Sequence, residues 1–157
     1  MSPLPLGMVA ASGTGKAPVA IISGTTPSPQ TLTGGLTVVY GNGTTSANWT
    51  NNSDSLRMAW PSWSDSTLYT VNTYNLAGAK RYEADVSTSG MNSSYGYFSI
   101  GYPNSGGGYT APYGFPRATG RTLYSVNLTD TPGTGKIVFN GANSFGDIYI
   151  YSLIFYF

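Results

Sequence analysis

The stretch Ile148–Phe157 is apolar at both its odd and its even positions, with Ser152 as its one polar interruption. A membrane-spanning helix needs about 20 apolar residues in a row, so this run is too short to cross a bilayer as one. As a strand it has no polar face, and a strand without a polar face is buried on both sides. One side fits a core. The other predicts a contact with the amino-terminal segment or with a second subunit, which singles out Ile148, Ile150, Ile154, Tyr156 and Phe157 as candidate oligomer contacts.

The rest of the chain supports a sheet protein. From Leu36 onward, short β-type runs alternate with clusters of Gly, Asn, Pro and Ser, the pattern of a sandwich or barrel. Strands are expected over Leu36–Tyr40, Leu56–Trp60, Thr67–Leu76, Arg81–Thr88, Tyr95–Tyr102, Thr122–Thr129, Lys136–Asn140 and Asp147–Phe157. Residues 1–33 are rich in Gly, Pro, Ser and Thr, with one short apolar stretch at Val19–Ile22, and read as an extended arm or linker. The expected organisation is an arm over 1–33 and one β-sandwich domain over 34–157.

Charge narrows the function. Only 8% of residues are charged, against a norm of roughly 25%. Seven basic and six acidic side chains leave a net charge of +1, so no field draws the chain to nucleic acid or to an anionic membrane. There is no Cys, hence no disulfide and no thiolate metal site or nucleophile, and no His. General acid–base catalysis of the common kinds needs imidazole or paired carboxylates, and Glu83 is the one glutamate. Glu83 and Asp85 fall on one face of a strand, but Lys80 and Arg81 stand beside them. Gly13-Thr14-Gly15-Lys16 resembles the end of a phosphate-binding loop and fails it, because Ala10 and Ala17 replace the first glycine and the hydroxyl ligand. No catalytic residue, metal site or cofactor is expected.

Binding chemistry is better represented. Aromatic residues make up 14% of the chain, thirteen of them tyrosines, whose rings offer flat apolar area with a hydroxyl at the edge. Trp60-Pro61-Ser62-Trp63 and the loop Tyr109–Tyr113 are where aromatics leave the strand pattern. With Asp65 and Asn104 near them in sequence, Trp60, Trp63, Asp65, Asn104, Tyr109 and Tyr113 form the candidate ligand-binding set.

The stretch from Thr67 to Phe157 resembles the galactose-binding-like jelly-roll modules found as carbohydrate-binding modules and in phage tail and baseplate proteins. The resemblance rests on the strand containing Leu68-Tyr69 and Val71, the passage Ala77-Gly78-Ala79-Lys80 into Arg81–Val86, the Tyr95–Tyr102 strand, and the ending Ile137-Val138-Phe139 followed by Gly146–Leu153. Members carry an acidic residue where this chain has Tyr151 or Ser152, so the resemblance implies the fold and no binding residue. It implies an all-β, antiparallel jelly-roll sandwich of about eight strands with an extended N-terminal arm.

Arm, low charge and doubly apolar last strand together point to a non-enzymatic virion structural protein: a decoration, tail-fibre or baseplate component. It would be homo-oligomeric, with a trimer among the arrangements, and would contact other virion proteins and host-surface glycans. The alternative is a free, extracellular carbohydrate-binding module or lectin. A third reading is an eight-stranded outer-membrane barrel, because Tyr149, Tyr151, Leu153, Phe155 and Phe157 alternate toward a terminal Phe.

Overall fold

The computed structural model of the chain describes residues 15–23, 36–40, 48–52, 54–60, 66–142 and 146–157, and places no helix among them. The front sheet runs β10 (Thr122–Asn127), β7 (Arg81–Ser87), β13 (Ile148–Tyr156), β4 (Leu56–Ala59) and β3 (Asn48–Asn51). β1 (Val19–Ser23) joins β13 on the edge that β4 also uses. The back sheet runs β2 (Leu36–Tyr40), β5 (Ser66–Thr70), β12 (Val138–Ala142), β8 (Tyr97–Pro103) and β9 (Tyr109–Thr110). A short ladder pairs β6 (Tyr74–Asn75) with β11 (Thr134–Gly135). Every pairing is antiparallel, and the chain is an all-β jelly-roll sandwich.

The strands exceed the eight expected. Among the described residues there are thirteen, because β1 falls in the expected arm, β3, β9 and β11 are short or polar, and the run Thr67–Leu76 divides. It divides at Thr70. There the hydroxyl accepts the Ile137 amide at 3.0 Å and donates to the Asn72 carbonyl at 2.8 Å, so a side chain replaces the ladder and turns the backbone. The expected arm is corrected at 19–23, which is a strand of the domain's own front sheet. The remainder of 1–33, apart from residues 15–18, lies outside the described residues.

β7 shows how sequence sets the layers. Tyr82, Ala84 and Val86 face the back sheet and are wholly buried, while Arg81, Glu83 and Asp85 face outward. β13 obeys the same rule with one interruption. Its register against β7 slips between Ile150 and Ser152, so Tyr151 is an extra residue, a β-bulge, and the inward parity changes there. Ile148 and Ile150 point inward before the bulge, Leu153 and Phe155 after it, and all four are 0% exposed. The core face therefore takes even positions before the bulge and odd positions after it, and Tyr149, Tyr151, Ser152, Ile154 and Tyr156 make the outward face. Ile148 and Ile150 are corrected from oligomer contacts to core residues. Tyr156 and Ile154 lie on the outward face and are half-buried, as is Phe157 just beyond the strand, whose ring carries the Lys16 ammonium 4.2 Å from its centroid.

Between the sheets, aromatic rings run in a chain from Trp60 to Phe98 (5.7 Å between centroids), Phe115 (5.3 Å) and Tyr124 (5.1 Å). Burying each such ring contributes roughly 1.5–3 kcal/mol. Trp60 fits because β12 offers no side chain opposite it: a Cβ on Gly141 would lie 2.5 Å from the indole. Two open sheets around a filled core also rule out the closed-barrel reading. The outward side of β13 shares its face with Arg81, Glu83 and Asp85, which no lipid-facing surface would.

Candidate functional site

On the outer face of the front sheet, charged and aromatic side chains gather in a way the composition alone would not suggest. Along β13 lie three units, each made of one tyrosine, one arginine and one carboxylate. At one end Arg57 of β4 pairs with Asp147 at 2.7 Å, and the Tyr149 hydroxyl donates to the same carboxylate at 3.3 Å. In the middle, Arg121 grips Asp85 with Nε and an Nη at 2.7–3.1 Å while its guanidinium lies 3.8 Å over the Tyr151 ring. At the other end Arg81 pairs with Glu83, lies 4.1 Å over the Tyr156 ring, and Tyr156 donates its hydroxyl to Glu83 at 2.9 Å.

Strand geometry dictates the alignment. Tyr149 stands beside Ser87 and Tyr156 beside Arg81 on β7, a span of six residues, or about 20 Å at the antiparallel rise. The bulge also serves the site: by switching parity it puts Tyr156 on the same outer side as Tyr149 and Tyr151, whose rings stack with centroids 6.4 Å apart and planes 25° apart. The three units hold six of the thirteen charged residues of the chain, seven basic plus six acidic.

Electrostatically the face is paired and neutral. Hydrogen bonds from Arg81 and then Tyr156 hold the Glu83 carboxyl below its ordinary value, and the Glu83 carboxylate in turn raises the Tyr156 phenol. Asp147 raises Arg57 and Asp85 raises Arg121, each mainly by a side-chain hydrogen bond, and burial raises Tyr151. An arginine held in this way still presents N–H donors from its five, and each carboxylate keeps free lone pairs. The arrangement offers flat rings beside fixed donors and acceptors, without net charge. Among the described residues no three acidic side chains converge to hold a metal ion.

No protein-family model matches the sequence, and no curated protein does. Solved structures do match. A family 29 carbohydrate-binding module from Piromyces equi superposes with a TM-score of 0.61 at 12% identity, over 89% of this chain and 89% of that one. A mutant of the family 29 module CBM29-2 complexed with mannohexaose gives 0.60 at 10% identity, over 89% and 91%. Another complexed with cellulohexaose gives 0.59 at 10% identity, over 89% and 90%. The fold is similar to that of family 29 carbohydrate-binding modules.

The described residues among those expected to bind ligand are scattered over the sandwich. Trp60 is corrected to a core residue, 1% exposed against Phe98 and Gly141. Asn104 is structural: its carbonyl caps the Gly106 and Gly108 amides and its amide donates to Thr110, so it holds a turn. Tyr109 is 45% exposed on the back sheet, edge-on to Tyr69 at 5.5 Å, whereas Tyr113 packs half-buried between Phe115 and Tyr124. Trp63 and Asp65 lie outside the described residues. Sequence reading missed the front face because its arginines come from three separated segments. One signal was available, the Arg-x-Glu-x-Asp alternation of β7.

Proposed function

We propose that the chain is a non-catalytic carbohydrate-binding module that lays a neutral glycan chain along β13 on the front face. The row of three tyrosine–arginine–carboxylate units carries this reading. Tyrosine rings stack on the apolar faces of sugars, and oriented guanidinium and carboxylate groups hydrogen-bond their hydroxyls. A neutral face suits a neutral polymer and gives no attraction for phosphate or sulfate. The similar modules named as complexed with mannohexaose and cellulohexaose support the same class of ligand. Such a module works outside the cell, where polysaccharide is met. Binding rather than turnover fits the carboxylates, each of which faces an arginine instead of a free proton-transfer partner.

The virion reading loses support from two of its three premises. Part of the arm is a sheet strand, and the outward face of β13 is a row of tyrosines paired with arginines and carboxylates of its own chain. Calorimetric titration with mannohexaose and cellulohexaose tests the proposal. Tyr151→Ala and Tyr156→Ala should each weaken binding tenfold or more, about 1.4 kcal/mol, with an unchanged circular dichroism spectrum. Tyr109→Ala, on the back sheet, should bind as the parent does. If neither oligosaccharide binds, or the two front-face variants bind like Tyr109→Ala, the assignment fails.

A further inference from the structure

We propose that β10 is a homodimer edge, on which a second copy of this chain adds its own β10 across a two-fold axis to make one continuous front sheet. The backbone geometry comes first. β10 pairs with β7 in unbroken register over Thr122–Asn127, and the Leu128 amide donates to the Lys80 carbonyl at 2.8 Å. Hydrogen bonds alternate along an antiparallel strand, so Thr122, Tyr124 and Val126 address β7. The N–H and C=O groups of Leu123, Ser125 and Asn127 point the other way. Among the described residues nothing accepts them.

β10 is the longest edge strand described, and it carries none of the devices that keep an edge single. No proline, lysine or bulge interrupts Thr122–Asn127, and Leu123 is 63% exposed, the most exposed large apolar residue described.

The sequence also says what fits. About an axis through Ser125, Leu123 lies opposite Asn127 of the second copy and Tyr124 opposite Val126, an aromatic with a β-branched residue. Every outward N–H then meets a C=O. A two-fold axis brings identical segments together, and this one has no charge between Thr122 and Leu128 to repel its twin. Arg121 falls opposite Thr129. The net charge of +1 adds no long-range opposition. The axis stands perpendicular to the sheet, so both front faces look the same way and, resting on the carbohydrate reading, form a bivalent surface.

Sedimentation of the full chain should give twice the 16.5 kDa monomer mass at high concentration. Ser125→Cys introduces a single thiol into a chain without cysteine. Hydrogen-bonded antiparallel partners sit about 5.5 Å apart at Cα, within disulfide reach, so air oxidation should cross-link Ser125→Cys far faster than the loop variant Ser93→Cys. Ser125→Pro removes an outward N–H, and with it an exposed hydroxyl 3.5 Å from the Arg81 guanidinium, and should be a folded monomer. If that variant does not fold, Leu123→Lys should be monomeric instead. A parent that stays monomeric, or cross-linking no faster at Ser125→Cys than at Ser93→Cys, overturns the proposal. Oligosaccharide affinity is measured separately. A monomer that binds sinks the dimer alone, and a dimer that does not bind sinks the carbohydrate reading alone.

Discussion

Tyr82 and Tyr102 are both tyrosines with 0% exposure, yet loss of the hydroxyl should move stability in opposite directions. The Tyr82 ring packs on Phe155 at 5.5 Å, and its hydroxyl has no hydrogen-bond partner among the described residues. Burial pushes its phenol well above the ordinary tyrosine value, the expected response of a polar group held in apolar surroundings. An unsatisfied buried hydroxyl costs roughly 1–3 kcal/mol. Tyr82→Phe removes that cost and leaves a void of one oxygen atom, worth a few tenths of a kcal/mol at about 24 cal/mol per Å3. The net expectation is a gain of about 1 kcal/mol or more, or roughly 2–4 °C per kcal/mol in a chain of this size. Tyr102 differs because its hydroxyl accepts the Asp130 amide at 2.9 Å and donates to the Asp130 carbonyl at 3.1 Å. Tyr102→Phe strands both groups and should cost about 0.5–1.5 kcal/mol. Urea titrations of the parent and both variants, with equal slopes, give the comparison. A loss in Tyr82→Phe as large as that in Tyr102→Phe would refute the reasoning, since the Tyr82 hydroxyl would then have a partner after all.

Gly141→Ala forces a methyl to within 2.5 Å of the buried Trp60 ring and should cost about 1–3 kcal/mol, read as a lower Tm. Arg121→Lys keeps the charge but loses the two-nitrogen grip on Asp85 and the flat contact with Tyr151. Because Arg121 is 51% exposed, stability should change by less than about 1 kcal/mol, while oligosaccharide affinity measured by calorimetry should fall severalfold. The depressed Glu83 carboxyl contributes stability that is present above the ordinary glutamate value of 4.5 and lost as pH falls below it toward the folded value. Urea midpoints followed downward through that range should fall less steeply in Glu83→Gln than in the parent.

Periodicity served well where strands alternate cleanly and poorly where a backbone irregularity intervenes. β7 was readable because Arg81, Glu83 and Asp85 interleave with Tyr82, Ala84 and Val86. β13 was misread because its outward tyrosines read as apolar and a two-residue period cannot register the residue inserted at Tyr151. Trp60 looked like a loop aromatic beside Pro61, and the space it fills is made by Gly141, far away in sequence. The same distance hid the central binding unit: Arg121 meets Asp85 only because β10 pairs with β7 and Tyr151 arrives on β13. Asn104 entered the candidate set through its nearness in sequence to the aromatic loop, and its amide group is taken up by the turn at 105–108.

The position of β13 bears on how the molecule is made. It lies between β7 on one side and β4 with β1 on the other, so a segment near residue 150 joins partners that begin at residue 19. A ribosome delivers those partners long before the strand that unites them, and until Tyr156 emerges each waits with an open flank. Assembly of the front layer thus waits on a strand made later than its partners, and a chain lacking Ile148–Tyr156 should be one that chaperones and proteases treat as unfinished.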